Sequence, residues 1–341
     1  MLALTHSTFR TPLFDVFFIV MIPLLGIAAA IIAGMGPMAF ETVLSLNLFF
    51  LGYHHVISTY TRLGVSQLNS NETRFLTLVL PFLVLGFVAA CAYFGEIWVV
   101  PTIYLHWQWW HYTRQSEGIS KAIRFKIKSC EGGDERFNRL VFYAVPVAAF
   151  AVMSARDPAT FLFVEVETLP ISMSVALGLV IIAVSLQLVW LWNQIGALKQ
   201  GTLKLQHFGY LLSHQAIYWV AYAAFDNIDI GWIAINVWHN SQYIAFVWHF
   251  NTQRFRDGFT RKHPILSWLT QPGVVRIIAY FFLCLLITYY FYEGVSWSVR
   301  FLGDYSVLPI GIIAYQTINF HHYIVDTLIW KLRKPTVREN I

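Results

Sequence analysis

Ten apolar stretches, each close to the ~20 residues needed to cross a bilayer, leave this chain few folds to choose from. They cover 12–34, 39–61, 75–94, 96–116, 138–154, 171–195, 206–225, 231–251, 274–295 and 305–330. Hydrocarbon offers the backbone no water, so a segment inside it must satisfy its own hydrogen bonds, and at these lengths the helix does so. The sequence therefore predicts an all-α fold, a polytopic membrane helix bundle of about ten transmembrane helices. With 57% hydrophobic and only 12% charged residues, a soluble globule of 341 residues is excluded, because too little polar surface remains to cover it.

The charges between the runs provide an independent check. With the N- and C-termini both cytosolic, the cytosolic loops hold every one of the 23 Lys and Arg residues except Arg156 and Arg300. The opposite loops carry Glu41, Glu96, Asp157, Glu165, Glu167, Asp226, Asp229, Glu293 and Asp304. This is the positive-inside pattern, and one missed helix would scramble it. The formal charge of +5 is spread over loops and not gathered in a patch, so no nucleic-acid partner is expected.

Arg10 leads into an apolar run without a small-residue cleavage site, which predicts a retained first helix and not a removed signal. Cys91, Cys130 and Cys284 have neither the number nor the spacing of a disulfide framework or thiolate metal site. In 121–128, bases alternate with apolar residues, which suits a segment lying on anionic headgroups or an edge strand. No linker, low-complexity tract or repeat interrupts the chain, so residues 1–341 read as a single integral membrane domain of a multi-pass protein in the cell (inner) membrane.

Within this frame the histidines stand out. The last run contains Asn319-Phe320-His321-His322-Tyr323-Ile324-Val325-Asp326, and earlier runs contribute His54 and His55, His106 and His111, His207 and His214, and His239 and His249. An imidazole in hydrocarbon must find a partner for its polar nitrogens or lose several kcal/mol, roughly. Counted at ~1.5 Å per residue from the cytosolic flank of each run, His54, His55, His106, His214, His321 and His322 all lie roughly 10–15 Å deep. His111, His207 and His249 lie nearer the headgroups and His239 lies deeper. A shared metal site is the expectation, with His54, His55, His106, His111, His214, His239, His321 and His322 as candidate ligands.

Helical spacing refines that set. His322 and Asp326 are one turn apart on one face, so the carboxylate is expected to take the ring N–H that the metal leaves free; the alternative is an Asp326 that is solvated or paired with Lys331. Adjacent histidines diverge by about 100°, so one member of each pair is expected to bind and the other to bond a neighbouring helix. His106 and His111 point about 140° apart on a regular helix, and depth favours His106. Gln108, Gln215 and Gln242 are expected to orient imidazoles or water, with Asp326 and Gln242 as the catalytic candidates. Nitrogen-rich ligation suits iron (Fe2+) first, with copper, zinc or haem as alternatives. No Glu-x-x-His, His-Glu-x-x-His or Gly-x-Ser-x-Gly occurs, which disfavours a carboxylate-bridged di-iron bundle and the commonest protease and hydrolase sites.

The run Gly52-Tyr53-His54-His55, then Leu105-His106-Trp107, with further histidines on later helices, resembles the layout of the Brp/Blh membrane β-carotene 15,15'-dioxygenases. The resemblance covers mainly the second to eighth helices, and the Pro-His-Gly-Ala-x-Asp-His signature of that family is absent. It implies intramembrane histidines holding iron and cleavage of a polyene. Asn319-Phe320-His321-His322-Tyr323 also looks somewhat like the His-Phe-His-Tyr helix of haem–copper oxidases. The expected function is a membrane-embedded, histidine-ligated iron oxygenase that takes dioxygen and a lipophilic small molecule, a lipid or isoprenoid, from the bilayer, with a cytosolic electron donor where the reaction needs one. The alternatives are a haem or haem–copper electron-transfer protein and a metal or proton transporter.

Overall fold

The computed structural model describes residues 8–64, 70–129, 132–303, 309–331 and 335–341. Among the described residues there are two strands of two residues each, Thr160–Phe161 and Val164–Glu165, and the other regular elements are helices. Each of the ten apolar stretches falls largely in helix. Among the described residues, five helices are long and apolar enough to cross a membrane: Pro12–Ala33, Asn71–Phe94, Glu135–Ala155, Met173–Lys199 and Val274–Gly303.

The remaining long helices carry most of the histidines. They are His54–Gly64 with the turns before it, Val99–Ile127, Leu205–Trp219, Ile228–Arg254 and Ile310–Ile329. Their imidazoles, amides and hydroxyls lower the mean hydropathy, and burial explains how these groups are tolerated. Residues 231–240 are buried around the whole helix, as expected of an element enclosed by protein. Met173–Lys199 is the opposite case, with Val175, Ile181, Ile182, Leu188 and Trp192 exposed. Apolar surface on that scale is disfavoured in water and suits a lipid neighbour. These features indicate a membrane protein.

The chain forms two compact units, each discontinuous in sequence. One comprises Met1–Leu44, Gln108–Phe163 and Glu167–Gln242; the other comprises Ser45–Trp107, Val164–Val166 and Tyr243–Ile341. In the first, Glu135–Ala155, Met173–Lys199 and Leu205–Trp219 pack around Val141, Phe142, Trp190 and Leu211. A side chain at Gly26 or Gly231 would collide with the carbonyls of Ala234 and Ala221 respectively, so backbones meet there because glycine permits it. Arg156, an exception to the charge pattern, donates to the carbonyls of Ala223 (2.7 Å) and Phe225 (2.6 Å). It thereby caps the end of the Val220–Ala224 π-helical turn, where helix carbonyls lack partners and attract positive charge.

The 121–128 segment is not an edge strand. It continues the Val99–Ile127 helix, with Ala122, Ile123 and Ile127 buried. Phe125 is exposed alongside Lys121 and Lys126. In the same unit the buried Glu117 carboxylate pairs with Arg114, Lys121 and Arg139 and accepts from the Tyr143 hydroxyl. Burial alone would raise its pKa, but the Lys121 and Tyr143 hydrogen bonds and the Lys121 and Arg114 charges outweigh that and hold it below the usual range.

In the second unit, Ile310–Ile329 packs against Leu80–Phe94, His54–Gly64 and Val274–Gly303. Leu269, Tyr280 and Cys284 form a buried apolar cluster beside them.

Candidate metal centre

His54–Gly64 follows directly on the π-helical turn Leu48–Tyr53. Such a wide turn changes the face on which later side chains emerge and is often found at functional sites. Here His55, Thr59 and Arg62, at i, i+4 and i+7, share one stripe. On Ile310–Ile329 the corresponding stripe is His322, Asp326 and Ile329. These two stripes build the centre.

One ligand atom from each of His55, His322 and Asp326 lies within 4.8 Å of the others. His55 Nε2 is 2.6 Å from His322 Nε2, and the same His322 nitrogen is 3.7 Å from Asp326 Oδ2. All three side chains are at most 5% exposed. His322 Nδ1 is 2.9 Å from the Thr59 hydroxyl, and Thr59 is in turn 2.8 Å from the Tyr243 hydroxyl. Tyr243 donates to Asp326 Oδ1 at 2.6 Å and accepts from Trp330 Nε1 at 3.1 Å.

Proton accounting gives these bonds a direction. Tyr243 spends its proton on Asp326, so Thr59 donates its own in the 2.8 Å contact with Tyr243, with Asp326 Oδ1 a longer alternative at 3.4 Å. The Thr59 oxygen is then the acceptor for Nδ1–H of His322, which leaves His322 Nε2 with a lone pair. Asp326 Oδ2 is buried and has no hydrogen-bond partner among the described residues. Two imidazole nitrogens and a carboxylate oxygen therefore face one another in a buried position. A shared proton or a cation is needed to hold them there.

The expected role of Asp326 is thus revised. It does not take the distal N–H of His322, nor does it pair with Lys331. Thr59 takes that N–H, and Asp326 turns an oxygen toward the same point as the imidazoles.

The adjacent pairs divide their work. His55 and His322 converge, while His54 and His321 do not. His321 Nε2 donates to the Leu76 carbonyl at 2.7 Å and its Nδ1 is 3.2 Å from the Tyr60 hydroxyl, so both nitrogens are engaged in joining helices. His54 Nδ1 lies 3.3 Å from the Phe50 carbonyl, in the π-helical turn that precedes it. His106 is half-buried and donates Nδ1–H to the Thr102 carbonyl at 2.8 Å; it stays outside the His55, His322 and Asp326 group.

The other unit contains His111, His207, His214 and His239. His214 stacks on Phe142 with ring centroids 3.8 Å apart, donates Nε2–H to the Phe142 carbonyl at 3.1 Å, and accepts at Nδ1 from Ser116 at 3.0 Å. Both nitrogens are used, so its position is that of a structural histidine and not of a ligand. His207 pairs with Ser120 at 2.9 Å, one turn along from Ser116. His111 and His239 are buried with ring centroids 5.3 Å apart, and the Gln115 amide lies 3.2 Å from His239 Nδ1.

The glutamines join helices. Gln242 accepts from Tyr210 at 3.4 Å and donates to the Phe18 carbonyl at 3.3 Å. Gln108 bridges Tyr112 and Trp232, and Gln215 accepts from Gln187. These partners are a backbone carbonyl, aromatic groups and another glutamine, and not an imidazole. The residues missed in the sequence are Thr59, Tyr243 and Trp330. For Thr59 a signal existed, its position one turn from His55; for Tyr243 and Trp330 only the assembled helices reveal it.

No known protein family, curated protein or solved structure matches this chain.

Proposed function

We propose that this protein is a membrane-embedded oxygenase in which His55, His322 and Asp326 hold iron and act on a lipophilic substrate with dioxygen. The observation that carries the reading is the convergence of those three side chains, buried and supported by Thr59 and Tyr243. Imidazole nitrogens joined by a carboxylate oxygen are donors that suit iron among the first-row metals. A haem is a poorer fit, since nitrogens 2.6 Å apart leave no room for a porphyrin between them. Bound iron would supply activation of dioxygen. The chain's own groups would fix the ring of His322 through Thr59, hold Asp326 through Tyr243, and exclude water.

Topology supports the choice of substrate. With ten spans, cytosolic termini and location in the cell membrane, the centre lies ~10 Å below the cytosolic surface, counting from Arg62 back to His55 along the helix. Membrane-dissolved isoprenoids, lipids and dioxygen reach that depth, and polar metabolites do not. Cleavage of a carbon–carbon double bond, one oxygen atom going to each new carbonyl, balances without an electron donor. Hydroxylation would release water and require two electrons from a cytosolic carrier. The resemblance to the Brp/Blh dioxygenases agrees with the first of these.

The test is incubation of iron-loaded protein with a membrane lipid and isoprenoid extract under labelled dioxygen. Label is expected in a lipophilic product, and its amount should fall to background in His322→Ala. Tight metal binding without dioxygen consumption, together with metal flux in liposomes, would instead identify a transporter.

A further inference from the structure

The stripe that carries His55 ends on a charge. Arg62 follows Thr59 by three residues and lies ~10 Å from His55 toward the cytosolic flank. It is 2% exposed. Its guanidinium lies 4.4 Å from the Phe250 ring centroid and 5.1 Å from that of Trp330. Nη2 makes a long contact with the Ile329 carbonyl, 3.4 Å, while Nε and Nη1 have no hydrogen-bond partner among the described residues. Arg254, at the end of Ile228–Arg254, acts electrostatically on Arg62, and its Nε is also buried without a partner among the described residues.

Among the described residues no carboxylate satisfies these donors. The oxygens of Asp326 are engaged elsewhere, bonding Tyr243 and Thr59 and facing His322. No Asp or Glu occurs between Arg62 and Glu72, or between Asp326 and Glu339. Aromatic rings stabilise the faces of a guanidinium but cannot accept its in-plane N–H groups as a carboxylate or phosphate does. A desolvated cation with unspent donors is costly. With aromatic walls on its faces and free N–H at its edge, it is built as a receptor for an oxyanion.

We infer that Arg62, seconded by Arg254, binds the oxyanion headgroup of an amphipathic ligand, carboxylate or phosphate, whose apolar tail passes His55 and His322. The inference rests on the membrane reading above and narrows its substrate to an oxyanion-headed lipid or isoprenoid. The headgroup sits at the cytosolic interface, and the reacting carbon lies ~10 Å along the tail.

The experiment measures binding to the detergent-purified full chain at alkaline pH, using a long-chain fatty acid, its methyl ester, the matching alkyl phosphate and inorganic phosphate. The wild type is expected to bind the acid and the alkyl phosphate at least about tenfold more tightly than the ester, and Arg62→Gln should lose the preference. Equal binding of acid and ester by the wild type would overturn the assignment without recourse to any variant. Displacement of the acid by inorganic phosphate at comparable concentration would also overturn it, in favour of a free-anion site. The preference should survive in His322→Ala, so a failure of the metal reading leaves it intact. Its loss in that variant would place the headgroup at the metal centre and overturn the role of Arg62.

Discussion

His322 reaches across to Thr59 with one ring nitrogen, 2.9 Å, and to His55 with the other, 2.6 Å. The first contact fixes the tautomer and the second presents a lone pair. A hydroxyl one helical turn beyond His55 thus holds the opposing imidazole with its other nitrogen turned toward His55.

Thr59→Val removes that support while keeping the side-chain shape. Metal affinity is expected to fall about 10–100-fold, as measured by competition with a chelator, with the melting temperature in detergent little changed. An unchanged affinity would show that His322 is oriented by other means.

Histidines with both nitrogens spent on the protein should behave differently. His214→Ala leaves the Phe142 carbonyl and Ser116 without their partner, and His321→Ala does the same to the Leu76 carbonyl. Each is expected to cost about 1–3 kcal/mol of stability, read by thermal or denaturant unfolding in detergent. Metal per folded molecule should stay at the wild-type level in both.

The division between these histidines was only partly legible in the sequence. Helix positions followed from apolar length, and His55, His322 and Asp326 stood out as candidates because they are polar groups placed where hydrocarbon cannot solvate them. Sequence depth could not separate His214 from His55, because depth fixes a level along the membrane normal and not the direction in which a ring points. Direction is set by the π-helical turn Leu48–Tyr53 and by partners such as Ser116 and Leu76, which local periodicity does not reveal. The partner of Gln242 was hidden for a related reason. Its amide finds the Phe18 carbonyl, a partner far away in sequence.

Orientation in the membrane has its own test. Cys130, which lies outside the described residues, belongs to a loop bounded by Arg114 and Arg139 and rich in bases, and the charge rule places it in the cytosol. An impermeant maleimide is expected to label it only after the membrane is opened. Labelling in intact cells would invert the topology and move the centre to the opposite leaflet.

The Glu117 cluster gives a pH dependence with a defined sign. Its carboxyl is held below its usual pKa in the folded state by Lys121, Tyr143 and Arg114 against the opposing effect of burial, so its contribution is present above the unfolded pKa and is lost as pH falls through the folded value. Glu117→Gln should therefore lower stability at neutral pH, and the difference from the wild type should shrink in acid.

Elemental analysis of the detergent-purified protein tests the central claim most directly. The wild type is expected to carry about one iron per chain, with His55→Ala and His322→Ala each losing most of it, while His263→Ala, in the loop outside the centre, retains it. A wild type that holds no metal after iron loading, or full occupancy in both His55→Ala and His322→Ala, would contradict the assignment.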